Sequence, residues 1–178
     1  KHFHSLAFRC PLHRVKALLQ EVFYIIADND DRQVHNTTNY EFSFLLSNYL
    51  CGMLKETLSN ATEAAAKVLL HYFNDKNLQI SNKTGINNLV TEADHASEKA
   101  IIDTIKEAFP DHYILSEEAG ELKMDSAYKW IIDPIDGTIN YAHGIPLCCV
   151  SIGLEHNGEM ILGAVHNPFM KEFYLAER

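Results

Sequence analysis

Trp130-Ile131-Ile132-Asp133-Pro134-Ile135-Asp136-Gly137-Thr138 is the stretch from which the fold is read. Trp130, Ile131 and Ile132 form a short apolar run of the kind that makes a buried strand. Pro134 has no N–H to give to a neighbouring strand, so the ladder is expected to end there. Asp133 and Asp136 then leave a rigid strand end within one short bend, where their charges repel. Two ionised carboxylates in a partly dry cleft are costly unless a cation lies between them. Gly137 and Thr138 follow with backbone N–H groups and a hydroxyl, which suit an anion. A cation site abutting an anion site points to metal-assisted chemistry on a phosphate. The competing reading is an acidic surface turn, because Asp-Pro and Asp-Gly pairs are common turn signals. The flanking segments weigh against it.

Upstream, Tyr113-Ile114-Leu115-Ser116 reads as a strand that delivers Glu117 and Glu118 at its end. Thr91 precedes Glu92 and Asp94 at a helix start, where acidic residues complement the dipole. That helix is expected to reach about Phe109, before Pro110. Lys83-Thr84-Gly85 is a loop signal, and Leu89-Val90-Thr91 a short extended piece. Met53 opens a helical pattern over 54–74, with Leu54, Leu58, Ala61, Ala65, Val68, Leu69 and Tyr72 on one stripe. Downstream, 147–154 and 160–165 read as strands around the Asn157-Gly158 hairpin signal, with 172–176 a third. Helices first and a sheet after them imply a layered α+β domain.

The net charge of -9 argues against a nucleic-acid backbone as partner. An acidic protein that handles an anionic substrate needs cations to reverse the local field. The acidic excess lies wholly beyond residue 52, since 1–52 carry five basic and five acidic residues. Residues 1–52 are read as an appended or non-native extension of uncertain origin, with a weak helix from about 13 to 27, and 53–178 as the functional domain. No apolar run approaches the ~20 residues of a membrane span. Cys10, Cys51, Cys148 and Cys149 form no C-x-x-C pair, and reduced thiols in a cytoplasmic protein are the expectation. Cys148 and Cys149 should point to opposite faces of a strand.

Asp94, Glu117, Asp133 and Asp136 all stand at element ends. Hard oxygen ligands without a Cys/His cluster favour Mg2+ over zinc or copper. A carboxylate hydrogen-bonded to a threonine hydroxyl can orient an attacking water, and Asp94 with Thr138 is the obvious pair.

Three blocks together resemble the inositol monophosphatase family of Mg2+-dependent, lithium-sensitive phosphatases. They are K-T-G-I-N-N-L-V-T-E-A-D from Lys83 to Asp94, Ser116-Glu117-Glu118, and W-I-I-D-P-I-D-G-T-I-N-Y-A-H-G-I-P from Trp130 to Pro146. The third block is highly specific; the resemblance covers about Met53 to Arg178. It implies the N-terminal half of a layered αβαβα sandwich, hence a fragment. It also implies that Glu117, Asp133 and the carbonyl of Ile135 hold a first Mg2+, with Asp133 bridging to a second ion on Asp136. Glu117, Ile135, Asp136, Gly137 and Thr138 would face the substrate. Gly137 and Thr138 would cradle the phosphate through backbone N–H groups, and Thr138 with Asp94 would activate water. Lys83 matches the lysine of the family's mobile loop.

Two departures stand out. Asn88 occupies a position usually held by aspartate, and the chain ends at Arg178, before the W-D-x-A block. That block supplies the aspartate completing the second Mg2+ site, so low activity is expected of this chain. The implied reaction is hydrolysis of a phosphate monoester, foremost inositol monophosphate to inositol and phosphate. Fructose-1,6-bisphosphatase, histidinol-phosphatase and bisphosphate nucleotidase share the motif set, and a non-catalytic metal- and phosphate-binding remnant is the alternative of another class. The full-length form is expected to be a homodimer.

Overall fold

The computed structural model describes residues 35–73, 80–83 and 88–178, with side-chain surroundings for 43–73 and 92–178. The chain divides into two units, Lys1–Gly52 and Met53–Arg178. In chain order the elements are helix α1 (His35–Phe73), strands β1 (Ile80–Lys83) and β2 (Asn88–Thr91), helix α2 (Glu92–Ala108), strands β3 (Tyr113–Ser116), β4 (Gly120–Leu122) and β5 (Tyr128–Asp136), helix α3 (Thr138–Ala142), and strands β6 (Cys149–His156), β7 (Glu159–Asn167) and β8 (Glu172–Glu177). Helix α1 therefore starts well before the 54–74 helix expected from the apolar stripe. The weak helix expected at 13–27 lies outside the described residues. Among the described residues no helix is long and apolar enough to cross a membrane.

Six strands form one sheet in the order β4-β3-β5-β6-β7-β8, and β1 pairs with β2 in a separate hairpin. Only β3 and β5 run parallel, joined through β4. All other neighbours in the sheet are antiparallel. Side chains alternate between faces along a strand, and one face carries the core. Ile114, Trp130, Leu154 and Leu162 lie in register across four strands. All four are buried, as are Ile132, Ile152 and Ala164 one row along. Burying each such large side chain contributes on the order of 1.5–3 kcal/mol. Helices cover this layer. Leu54, Leu58, Ala61, Ala65 and Leu69 are the buried stripe of α1, and Ala93, Ile101 and Ile105 that of α2. Val68 and Tyr72, expected on the α1 stripe, sit half-buried at its edge.

Pro134 does not end β5, contrary to the expectation from its missing N–H. Asp133 pairs with Ser151 and Asp136 with Cys149, so three steps on β5 face two on β6. The extra residue makes a bulge, one of the few places where a strand tolerates proline. Strand β4 was not anticipated, and β7 extends beyond the expected 160–165 at both ends. The Asn157-Gly158 turn has both residues at positive φ (51° and 84°), as its hairpin role requires.

Candidate active site

Three segments converge at one end of β5: the bulged strand end itself, the turn after β3, and the first turns of α2. On α2, Asp94, Ser97 and Glu98 are spaced three and four residues apart and so share a face. All three are buried, Asp94 at 3% exposure. The Ser97 hydroxyl donates to the Pro134 carbonyl at 3.1 Å, which fastens the helix to the bulge. Glu98 accepts a hydrogen bond from the Ser116 hydroxyl and another from the Ala119 N–H at 2.7 Å. These bonds bracket Glu117. The Glu117 N–H itself donates to the Ile132 carbonyl at 3.2 Å, so the turn after β3 is also laced to β5.

Asp133 is half-buried where these segments meet, and its Oδ1 is buried without a hydrogen-bond partner among the described residues. Burial pushes its carboxyl up to about 6, and the negative charges of Glu117 and Asp136 add to the shift. A backbone hydrogen bond from Ile135 offsets part of it. Glu117 and Asp136 are exposed. The Cys149 thiol donates to Asp136 Oδ2 at 3.7 Å, and burial lifts that thiol to about 11. Cys148 precedes β6 rather than lying on it, and is buried.

Beyond the bulge, Gly137 has φ 93° and ψ 34°, the left-handed region that glycine enters at little cost. A Cβ there would lie 2.9 Å from the Leu147 carbonyl oxygen, so the loop returning after α3 leaves no room for a side chain. Asn140 holds that loop in place, its amide donating to the same Leu147 oxygen at 2.8 Å. The N–H groups of the first turn of α3 have no intrahelical acceptor. The Thr138 hydroxyl donates to the Ile135 carbonyl at 2.9 Å. A hydroxyl has one proton, so donation from Thr138 to Asp94 requires this bond to open first.

The structure thus brings together Glu117, Asp133, Ile135, Asp136, Gly137 and Thr138 around the end of β5. Asp94 lies in the adjoining turn of α2, near enough to Tyr141 for its charge to raise the phenol's pKa, although burial of the phenol is the larger cause. The Tyr141 hydroxyl donates to the Leu69 carbonyl at 2.7 Å, linking this corner to α1. Lys83 is the last residue of β1, and its side chain lies outside the described residues. Ser97, Glu98, Asn140 and Cys149 are the participants that sequence reading missed. The first two carried a usable signal: polar residues three and four positions beyond Asp94 fall within the stripe α2 must bury.

Whether a cation fits can be judged from the donors. Among the described residues no group of three or more His, Cys, Asp or Glu side chains converges into a finished metal cage. The carboxylates of Glu117, Asp133 and Asp136 nevertheless feel one another strongly enough to hinder ionisation of Asp133. A hard ion such as Mg2+ keeps several waters and needs only one or two protein carboxylates. An orphaned buried carboxylate oxygen flanked by two more carboxylates and a strand-end carbonyl is a donor set that fits such an ion.

The model of the inositol monophosphatase family matches residues 53–178. The inositol-1-monophosphatase of Synechocystis sp. is 44% identical over 126 residues, which are 69% of this chain and 44% of that protein. The histidinol-phosphatase of Chlorobaculum parvum is 43% identical over 116 residues, 65% of this chain and 44% of that protein. The crystal structure of the extragenic suppressor protein SuhB from Bartonella henselae superposes with a TM-score of 0.68 at 37% identity. It covers 70% of this chain and 49% of that one. The chain spans about half the length of the curated relatives it matches.

Proposed function

Because the chain belongs to the inositol monophosphatase family, we propose that Met53–Arg178 carries the cation and phosphate site of an enzyme that hydrolyses a phosphate monoester, with inositol monophosphate as the substrate. The observation that carries this reading is the buried, unpartnered Oδ1 of Asp133 beside Glu117 and Asp136. Glu117, Asp133, Asp136 and the Ile135 carbonyl would hold Mg2+. When bound, the ion supplies Lewis-acid neutralisation of phosphate charge. The chain's own groups do the rest. Backbone N–H groups at Gly137 and Thr138 bind phosphate oxygens in a turn whose shape Gly137 sets. Asp94, buried and acidic, takes the proton of the attacking water by way of the Thr138 hydroxyl, once that hydroxyl has left the Ile135 carbonyl. Lys83, the last residue of β1, would serve as the loop lysine of the site. The same reading carries sensitivity to lithium, a cytoplasmic location, a homodimeric full-length form, and residues 1–52 as an extension.

The test is phosphate release from inositol monophosphate, histidinol phosphate and fructose 1,6-bisphosphate, beside calorimetry with Mg2+. Mg2+ binding that drops at least tenfold in Asp133→Asn, with turnover of inositol monophosphate exceeding that of the other two, is the expected result. Wild-type protein without Mg2+ affinity would end the reading. Binding without turnover on any of the three substrates is the second reading, a metal- and phosphate-binding module. That the chain spans about half the length of the relatives it matches is what favours it.

A further inference from the structure

The structure assigns to Glu98 the role of a positioning residue for the cation site, a role that rests on the phosphatase reading above. Glu98 touches no reacting group. It lies on the inner face of α2 at 7% exposure, one turn beyond Asp94, and its carboxylate reaches across to the turn after β3. There it accepts from the Ser116 hydroxyl before Glu117 and from the Ala119 N–H after it. Ser116 is buried at 4% and Glu117 is exposed. The bonds therefore hold the base of the turn while leaving the Glu117 carboxylate free to face the site.

A buried carboxylate is retained in an apolar interior only when its oxygens are satisfied. In this turn, one carboxylate gathers a side-chain donor and a backbone donor separated by two residues. That arrangement fixes the backbone on both sides of Glu117, which would otherwise sit at the tip of a short exposed hairpin. Its neighbour Ser97 does the same for the other half of the site through the Pro134 carbonyl. Helix α2 is thus a frame. Adjacent residues on it pin the two segments whose carboxylates, Glu117 and Asp133, must stay within reach of one ion despite their repulsion. Preorganisation of this kind lets ligands bind without ordering the loop at the moment of binding.

The test uses the whole chain with Glu98→Ala, Glu98→Gln, Ser116→Ala, Glu117→Ala and the Glu98→Ala/Glu117→Ala double variant. Calorimetry with Mg2+ is expected to show about a tenfold weaker affinity in Glu98→Ala, within the range for lost supporting bonds. Near-wild-type affinity is expected in Glu98→Gln, whose amide oxygen still accepts from Ala119. Adding Glu98→Ala to Glu117→Ala should weaken binding no further, because Glu98 acts through Glu117. Full additivity would overturn the proposal. Amide exchange gives a readout that needs no metal. The Ala119 N–H should lose protection in Glu98→Ala and keep it in Glu98→Gln, with the β5–β7 amides unchanged in both. Unchanged protection at Ala119 in Glu98→Ala overturns the role even if no Mg2+ binds. A wild-type protein that binds no Mg2+ would overturn the cation-site role together with the phosphatase reading, and the exchange pattern would then show only that Glu98 fixes the turn around Glu117. If Glu98→Ala unfolds, Ser116→Ala, which removes only one of the two bonds, is read in its place.

Discussion

His112 and Asp133 should give the stability of this protein two opposed pH dependences over the same interval. The His112 ring stacks between Phe109 and Tyr128, with ring centres 4.5 and 4.8 Å away. Its Nδ1 accepts from the Trp130 indole N–H at 3.0 Å, which requires the neutral ring. Burial lowers its pKa to about 4, with Asp111 opposing. The folded state then binds fewer protons than the unfolded state between pH 4 and 6.5. Stability from His112 is complete above pH 6.5, falls as pH drops through the interval, and is gone below about 4. Asp133 has the reverse sign. Its folded pKa is raised to about 6, so the folded state binds more protons between about 4 and 6, and stability rises as pH falls through that interval. At about 1.4 kcal/mol per unit each effect would reach ~3 kcal/mol, and partial exposure of both groups reduces this to ~2 kcal/mol. In the wild type the two largely cancel. Urea unfolding at pH 7.5, 6, 5 and 4 separates them. Asp133→Asn should be more stable than wild type at pH 7.5, an advantage that disappears by pH 4. His112→Asn should be least stable relative to wild type at pH 7.5, with the deficit shrinking by ~2 kcal/mol toward pH 4. Variant curves that run parallel to the wild type across the whole interval would refute this reasoning.

Two further predictions are local. Gly137→Ala combines a positive φ with a Cβ 2.9 Å from a backbone oxygen, and should destabilise by ~2–4 kcal/mol in thermal melts. Gly144→Ala, also at positive φ (72°) but with open space around it, should lose only ~1–2 kcal/mol, and equal losses would contradict the steric account. Tyr141→Phe removes the hydroxyl that donates to the Leu69 carbonyl, a second bond on an oxygen that lies within the α1 ladder. A loss of ~0.5–1.5 kcal/mol in urea unfolding is expected, and no loss would show that this bond contributes nothing net.

Much of the fold was readable because strong local signals agreed with the tertiary outcome. The apolar run at 130–132, the Asn157-Gly158 turn and the acidic start of α2 all lie where pattern alone places them. The misses share a cause, which is that partner strands and helices are invisible to a local window. Pro134 reads as a strand end because its missing N–H is a local fact. The bulge that accommodates it exists only because β6 pairs on both sides of it. Strand β4 has three residues and no apolar alternation, and it forms because β3 offers it an edge.

The site divides along the same line. Residues whose chemistry is exposed in motif form, such as Glu117, Asp133, Asp136 and the Gly137-Thr138 turn, can be nominated from spacing alone. The groups that hold them cannot, since a buried glutamate within a helical stripe reads as a surface charge until its acceptor geometry is known. Glu98 and Ser97 illustrate the difference. Their donors and acceptors lie 21 and 37 residues away in sequence, so no short motif contains both ends of either bond. Yet their position was constrained by helix geometry once Asp94 faced inward, because positions three and four residues on must face inward too. A polar pair on the buried side of a helix must find partners across the interface or destabilise the fold. Here the partners are the two segments that carry Asp133 and Glu117. The same burial that hides Ser97 and Glu98 from a sequence motif therefore couples the packing of α2 to the geometry of the acidic site, and a substitution inside that helix should register at the site before it registers in the core.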